Sequence, residues 1–318
     1  MEKDDIIYIA GHRGLVGSAF IRKLQSKGYH NLLTKTHHEL ELTNQSAVND
    51  FFEDEMPNYV FLAAAKVGGI LANQMYPAEF IYDNLMVQTN VIHSAYNNGV
   101  KKLLFLGSSC IYPKLAPQPL KEDYLLTSEL EKSNEAYAIS KIAGLKTCEY
   151  YNKQYNTDFM SVMPTNLYGP NDNFNLESGH VLPAFIRRFH EAKVNNVPAV
   201  MIWGSGNAMR EFMHVDEMAD ACVYLMENCT AKSIGTFVNI GTGIDITIQE
   251  LARLVAEVVG YNGKITNDLT KPDGTPQKLL DLTKLHSLGW KAKLSLKEGL
   301  GLTYKWYLDN YDKQEVRK

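Results

Sequence analysis

The chain has 318 residues, 45% of them hydrophobic and 21% charged, with a formal net charge of −4. That length suits one large domain or two coupled ones, and without a lysine or arginine run the chain offers no electrostatic footprint for nucleic acid. No apolar run approaches the roughly 18 residues of a membrane span, the charged start MEKDDIIYIAG lacks a signal-peptide core, and Cys110, Cys148, Cys222 and Cys229 show no CxxC or zinc spacing. The expectation is a soluble cytoplasmic protein with unpaired thiols, no metal and no membrane partner.

In chain order, short apolar runs alternate with helical patterns, as in a parallel sheet with crossover helices. Ile6–Ala10 predicts a strand, and Leu15–Lys27 a helix closed by Gly28. Leu32–Thr34, Tyr59–Ala64 and Lys102–Leu106 predict the next strands, with a long helix over Ala78–Asn98 between the last two. A second long helix, Tyr137–Asn156, precedes the strand Phe159–Pro164. After Tyr168-Gly169-Pro170 the turn-rich stretch GPNDNFNLESGHV breaks the alternation. Met213–Met226 then predicts a helix and Phe237–Gly241 a strand returning to the first domain. Helix Ile248–Val259, the loop Lys271–Pro276 and a final helix from Leu296 complete the chain. The pattern predicts an α/β fold: a Rossmann doubly wound parallel sheet over 1–170 with return segments near 213–243, and a smaller α/β substrate domain from 171–212 and 244–318.

Gly11-His12-Arg13-Gly14-Leu15-Val16-Gly17 lies between the first strand and the first helix. Glycines at such spacing allow a tight turn, close approach of backbone N–H groups to a pyrophosphate, and tight helix–sheet packing. The spacing is GxxGxxG, not the GxGxxG of many dehydrogenases. NAD binders place an acid after the second strand to hold the ribose 2′-hydroxyl; here the stretch reads Thr34-Lys35-Thr36-His37-His38, with no acid before Glu39. With Arg13 in the turn and Lys35 or His37 nearby, the expected cofactor is NADP.

Ser108 follows the fourth strand, and Tyr137-Ala-Ile-Ser-Lys141 puts a tyrosine and a lysine at i and i+4 on one helix face. A lysine ammonium there is expected to lower the phenol pKa, while Ser108 hydrogen-bonds a substrate oxygen.

These features, with Phe61-Leu-Ala-Ala64, Asn166-Leu-Tyr-Gly-Pro170, Arg210-Glu-Phe-Met-His-Val-Asp216 and Asn239-Ile-Gly-Thr-Gly243, resemble the extended short-chain dehydrogenase/reductase superfamily over nearly the whole chain. Ala65-Lys-Val-Gly-Gly69, Leu106-Gly-Ser-Ser-Cys-Ile-Tyr-Pro113, Met163-Pro-Thr-Asn166, Trp203-Gly-Ser-Gly206 and Lys271–Pro276 are similar to the GDP-L-fucose synthase family within it. The resemblance implies 3,5-epimerisation of a GDP-4-keto-6-deoxyhexose followed by NADPH-dependent reduction at C4. It implies an epimerase base at Cys110 and a general acid at His180, with protonated His180 a candidate cation to favour the thiolate. Taken alone, Cys110 reads first as a small buried hydrophobe, and His180 equally as a surface histidine. The dehydratase relatives carry Thr-Asp-Glu where this chain reads Ser108-Ser109-Cys110.

The implied cofactor residues are Gly11, His12, Arg13, Gly14, Leu15, Val16 and Gly17; His37 and Leu42; Leu106, Gly107, Ser108 and Ser109; Lys141; Pro164, Thr165, Asn166 and Leu167; and His180. Arg188, Arg210 and Lys278 are implied for the substrate diphosphate, with Trp203 and Asp273 lining the same site. Bacterial members often carry an arginine where this chain has His37, and an imidazole grips a 2′-phosphate less firmly than a guanidinium fork. The partners implied are a GDP-sugar and a second copy of the chain, paired through the two long helices. Two rival readings are a related reductase of a GDP-heptose or other 4-keto hexose, and a non-catalytic NADP-binding sensor.

Overall fold

The computed structural model describes residues 1–271 and 273–311; Pro272 of the Lys271–Pro276 motif and residues 312–318 of the expected second domain lie outside it. The elements in chain order are β1 (Ile7–Ala10), α1 (Leu15–Ser26), β2 (Leu32–Leu33), α2 (Gln45–Glu55), β3 (Tyr59–Leu62), α3 (Ile70–Met75), α4 (Pro77–Asn97) and β4 (Lys102–Leu106). Then come α5 (Glu135–Tyr155), β5 (Phe159–Pro164), β6 (Asn166–Tyr168), α6 (Val181–Val194), β7 (Ala199–Trp203), β8 (Met209–His214), α7 (Val215–Asn228), α8 (Ala231–Ile234) and β9 (Val238–Ile240). The chain continues through β10 (Asp245–Thr247), α9 (Ile248–Val259), β11 (Lys264–Asp268), β12 (Gln277–Lys278), α10 (Thr283–Ser287) and α11 (Leu296–Asn310).

Strands β1, β3 and β5 are buried at every residue, as parallel strands covered by helices on both faces must be. They belong to a six-stranded parallel sheet in the order β2-β1-β3-β4-β5-β9. From β1 the chain winds one way to β2 and then crosses to β3, so the order reverses between β1 and β3. A ligand crevice is expected outside the carboxyl ends of strands at such a switch point. On one face α1 is held to α7 by Arg22–Asp216 (2.5 Å), Lys23–Asp220 (2.5 Å) and Lys27–Glu227.

A second, smaller sheet runs β10-β8-β12, with β6 also pairing β8, and β7 pairs β11 separately. Around these strands lies a second apolar cluster that includes Phe174, Phe185, Phe189, Leu251, Val255, Leu300 and Tyr307. Leu280, Leu282, Leu285 and Trp290 instead pack into the core of the large sheet.

Several elements escape the periodicity reading. Helix α6 follows the turn-rich stretch directly; Leu182, Phe185, Ile186 and Phe189 form its buried face, and Pro183 is tolerated in the first turn. The expected helix from Met213 starts two residues later, because Met213 and His214 end β8 and His214 caps α7 by accepting from Asp216 N–H at 3.3 Å. Strand β3 ends at Leu62, which frees Ala63 and Ala64 to turn along the crevice.

Candidate active site

The crevice begins with a steric constraint. Gly11 has φ +84°, and a side chain there would sit 2.8 Å from the backbone of Ala64. A side chain at Gly17 would overlap the Gly11 carbonyl. Only glycines let the turn fold back on β3 and bring α1 against it. The N-terminus of α1 has no side-chain cap and no acid in its first turn. Its unsatisfied N–H groups and positive dipole end therefore remain available to an anion. The crevice beyond has a volume of about 980 Å³, room for a dinucleotide. Turn, helix terminus and volume fit the expected NADP.

All the implied cofactor residues except His12 line this crevice, and so does Tyr137. His12 has its pKa lowered by burial and by the charge of Arg13. Ala63–Gly68, Asp83, Val87, Asn171–Asn173, Ser178 and Gly179 also line it. Two sequence motifs, Phe61–Ala64 and Ala65–Gly69, already pointed to the first of these segments. At the adenosine end the expected pattern needs correction. Glu41, an acid beyond the stretch inspected in the sequence, lines the crevice and pairs with His37 at 2.7 Å. Lys35 pairs with Glu55 at 3.0 Å. Both side chains expected to help Arg13 thus have carboxylate partners of their own.

The wall made by β4 and α5 carries the reactive groups. Ser108 leaves β4 in extended conformation and caps a short turn of helix over Ser109–Ile111, its Oγ accepting from Cys110 N–H at 3.5 Å. Lys141 is buried and donates to the Leu106 carbonyl at 2.8 Å; its Nζ lies 5.7 Å from the centre of the Tyr137 ring. Burial lowers the lysine pKa to about 8. Burial also pushes the Tyr137 phenol up, as does the charge of Cys110, with only Ser108 hydrogen bonding opposing them. The expected lowering of the phenol by Lys141 is absent: desolvation outweighs a lysine whose ammonium is directed to a backbone carbonyl.

Cys110 is buried, and burial raises its pKa; Ser108 hydrogen bonding and then the charges of Lys278 and Lys141 pull it back. The cations acting on the thiol are therefore lysines, not the expected protonated His180. His180 sits at the N-terminal cap of α6 with its ring bordering the crevice. Although it is open to water there, the surrounding protein desolvates the imidazole and lowers its pKa. The positive end of α6 acts in the same direction.

Arg188, Arg210, Lys278, Trp203 and Asp273 lie away from the large crevice, on α6, β8, β12, β7 and the loop before β12. Lys278 and Ser109 line one small cleft, so the second sheet reaches the wall that bears Cys110. Lys278 is the register partner of Arg210. Among the described residues none of the three cations has a carboxylate within ion-pair distance; Arg188 donates to the Met201 carbonyl at 3.0 Å and Arg210 to that of Met209 at 2.7 Å. Burial lowers the pKa of all three, and Arg210 adds to the effect on Lys278. Half-buried cations without counter-ions could receive an anion, since a ligand charge relieves the cost of desolvating them. Asp273 accepts from Ser205 N–H at 2.9 Å and Oγ at 2.8 Å, and Trp203 is exposed.

The family described as NAD dependent epimerase/dehydratase matches residues 7–241. A putative GDP-L-fucose synthase of Arabidopsis thaliana is 62% identical, covering 98% of this chain and 94% of its own. The GDP-L-fucose synthase of Escherichia coli K12 is 56% identical over 96% of this chain and 98% of its own. Among solved structures, a GDP-mannoheptose C4 reductase from Campylobacter jejuni with NADP bound has a TM-score of 0.90 at 44% identity, covering 97% of this chain and 99% of that one.

With Arg13 in the turn that lines the crevice, NADPH should bind more tightly than NADH. Arg13→Ala should erode that preference more than it weakens NADH; equal dissociation constants for the two wild-type complexes would refute the assignment. The buried lysine gives a second test. Between pH 8 and its ordinary value of 10.5 the unfolded chain binds more protons at Lys141 than the folded one, so folding stability rises with pH there, and below 8 the full cost is present. Lys141→Met removes a cost of about 3 kcal/mol. The variant should melt above the parent at pH 7, with the gain shrinking as pH climbs through 8 to 10.5; a pH-independent difference in Tm would contradict this.

Proposed function

The chain belongs to the NAD dependent epimerase/dehydratase family, and from that membership we propose that it converts GDP-4-dehydro-6-deoxy-D-mannose to GDP-L-fucose by 3,5-epimerisation and NADPH-dependent 4-reduction. The observation that carries this reading is a buried thiol, Cys110, within electrostatic reach of Tyr137, Lys141 and Lys278. A simple 4-epimerase or reductase needs the serine, tyrosine and lysine but has no use for the thiol.

Cys110 as thiolate takes the acidic proton at C3, next to the C4 ketone, leaving an enolate; it gives that proton up to solvent and His180 regains one before the pair repeats the exchange at C5. His180 returns a proton on the opposite face; a desolvated imidazole is the stronger acid once protonated. When bound, NADPH supplies the hydride that reduces C4. Tyr137 then donates its proton to the C4 oxygen, Ser108 holds that oxygen, and Lys141 holds the nicotinamide ribose. Arg188, Arg210 and Lys278 hold the diphosphate, with Trp203 and Asp273 beside them.

The same reading divides the chain as its sequence predicts, at about residue 170 with return segments near 213–243. It also places a homodimer contact on α4 and α5, whose Tyr82, Ile139, Tyr150 and Tyr155 are exposed. A cytoplasmic location agrees with four cysteines that are all unpaired; among the described residues no helix is long and apolar enough to cross a membrane. A GDP-heptose or another 4-keto hexose is the neighbouring reading, favoured by the likeness to the mannoheptose reductase. Consumption of NADPH with GDP-4-dehydro-6-deoxy-D-mannose, followed by product stereochemistry, separates the two.

Tyr137→Phe should lower turnover by about 10²–10⁴-fold, the usual contribution of a general acid, with NADPH affinity nearly unchanged. Near-normal turnover would mean that another group protonates the ketone. Cys110→Ser should abolish solvent deuterium uptake at C3 and C5 in the presence of NADP⁺, because a serine hydroxyl cannot serve as the base. It should still oxidise NADPH slowly, yielding a GDP-6-deoxyhexose of the unepimerised configuration. Deuterium uptake at the wild-type rate would leave Cys110 as a packing residue.

A further inference from the structure

Glu211 lies next to Arg210 in β8 and has no exposed surface. Its Oε1 accepts N–H bonds from Thr242 at 2.5 Å and Gly243 at 2.8 Å, and its Oε2 accepts from Leu280 N–H at 2.9 Å. Burial raises its pKa, while the three backbone bonds and Thr165 oppose that rise. Among the described residues no cation lies within ion-pair distance of this carboxylate. A side chain at Gly241 would overlap it, so the chain leaves room for the acid where the loop passes.

Three N–H donors meet two oxygens. An amide offers one acceptor and would turn its own NH₂ toward an N–H, leaving a buried donor unsatisfied. The carboxylate is therefore matched to this junction in a way that a neutral side chain of the same shape is not.

What the carboxylate joins matters for function. Thr242 and Gly243 lead into β10, and Leu280 follows β12, so one side chain fastens two of the three strands that pair with β8 to it. Strand β12 carries Lys278 in register with Arg210. On the other side, the backbone carbonyl of Glu211 accepts from Thr165 Oγ1 at 3.1 Å and from Asn166 Nδ2 at 2.8 Å, both residues of the cofactor crevice.

We propose that Glu211 is a positioning residue for the GDP-sugar: its carboxylate fixes Arg210 and Lys278 as one rigid anion clamp, registered against the cofactor wall through its own carbonyl. This rests on the reading that these two cations hold the substrate diphosphate. Without the clamp, Lys278 loses its fixed distance to Arg210, whereas Thr165 and Asn166 keep their bonds to a main-chain carbonyl.

The test is calorimetric titration of the full-length enzyme with GDP and, separately, with NADP⁺, for Glu211→Gln, Glu211→Asp and Arg210→Ala. Glu211→Gln should weaken GDP by about tenfold or more, the effect of one unsatisfied buried donor on the clamp, while NADP⁺ affinity moves by less than about twofold. KM for the GDP-sugar should rise in the same proportion, with kcat changed by less than about threefold. Glu211→Asp keeps the charge but falls short by one methylene, and should show a smaller loss of the same kind. Unchanged GDP affinity in folded Glu211→Gln, or equal losses of GDP and NADP⁺ binding, overturns the proposal. If Glu211→Gln does not fold, Glu211→Asp decides by the same two readouts. If Arg210→Ala leaves GDP binding intact, the reading of the diphosphate site fails instead; if it weakens GDP while both Glu211 variants bind normally, only the positioning role fails.

Discussion

The ammonium of Lys141 rests on the carbonyl of Leu106 at the carboxyl end of β4, buried and without a carboxylate partner among the described residues. Holding a cation there costs stability, and its lowered pKa measures that cost. The same condition recurs in Arg188, Arg210 and Lys278, whose pKa values burial also lowers. Lys23, Lys35, Lys66 and Lys101, by contrast, each have an acid within 3 Å. The fold carries the cost of desolvating the cations that lack one.

That cost is sustained because the scaffold around the cations is stiff. The large sheet fixes Ser108 and Lys141 through β4 and α5, and the glycine turn is so tight that a side chain at Gly11 would meet the backbone of Ala64 and one at Gly17 the Gly11 carbonyl. The second sheet fixes Arg210 and Lys278 by register. Between them, β6 pairs with β8 immediately after β5 ends in the large sheet. A chain segment of a few residues therefore sets the separation of the two binding walls.

Much of the first sheet was legible in the sequence, because β1, β4 and β5 are continuous apolar runs and α1, α4 and α5 are long and regular. The second sheet was not: β10 has three residues and β12 two, too few for any period, and they pair only through contacts distant in sequence. The identity of the cofactor turn, Ser108, Tyr137 and Lys141 followed from residue type and spacing, whereas roles for Cys110, His180 and Arg188 came only from resemblance. Spacing also misjudged the electrostatics. Four residues along a helix place Lys141 beside Tyr137, but how strongly each is desolvated depends on Phe105, Phe80 and the opposite wall. Glu41 went unnoticed for a related reason, since it reaches the adenosine end through the fold of the loop after β2.

The coupling between Cys110 and Tyr137 gives these electrostatics a direction. Negative charge on the thiol raises the phenol pKa and strengthens Lys141 as a base. Two neighbouring acids in one desolvated wall cannot both ionise readily, so the site favours one anion at a time. The lysines on either side act directly on the thiol, while among the charges acting on the phenol only Cys110 stands out. Cations therefore bear on the sulfur rather than on the phenol. A base at sulfur and an acid at the phenol is the division of labour that the proposed epimerisation and reduction would use. Burial raises the thiol and the phenol alike, and the thiol has lysine charges working against that rise.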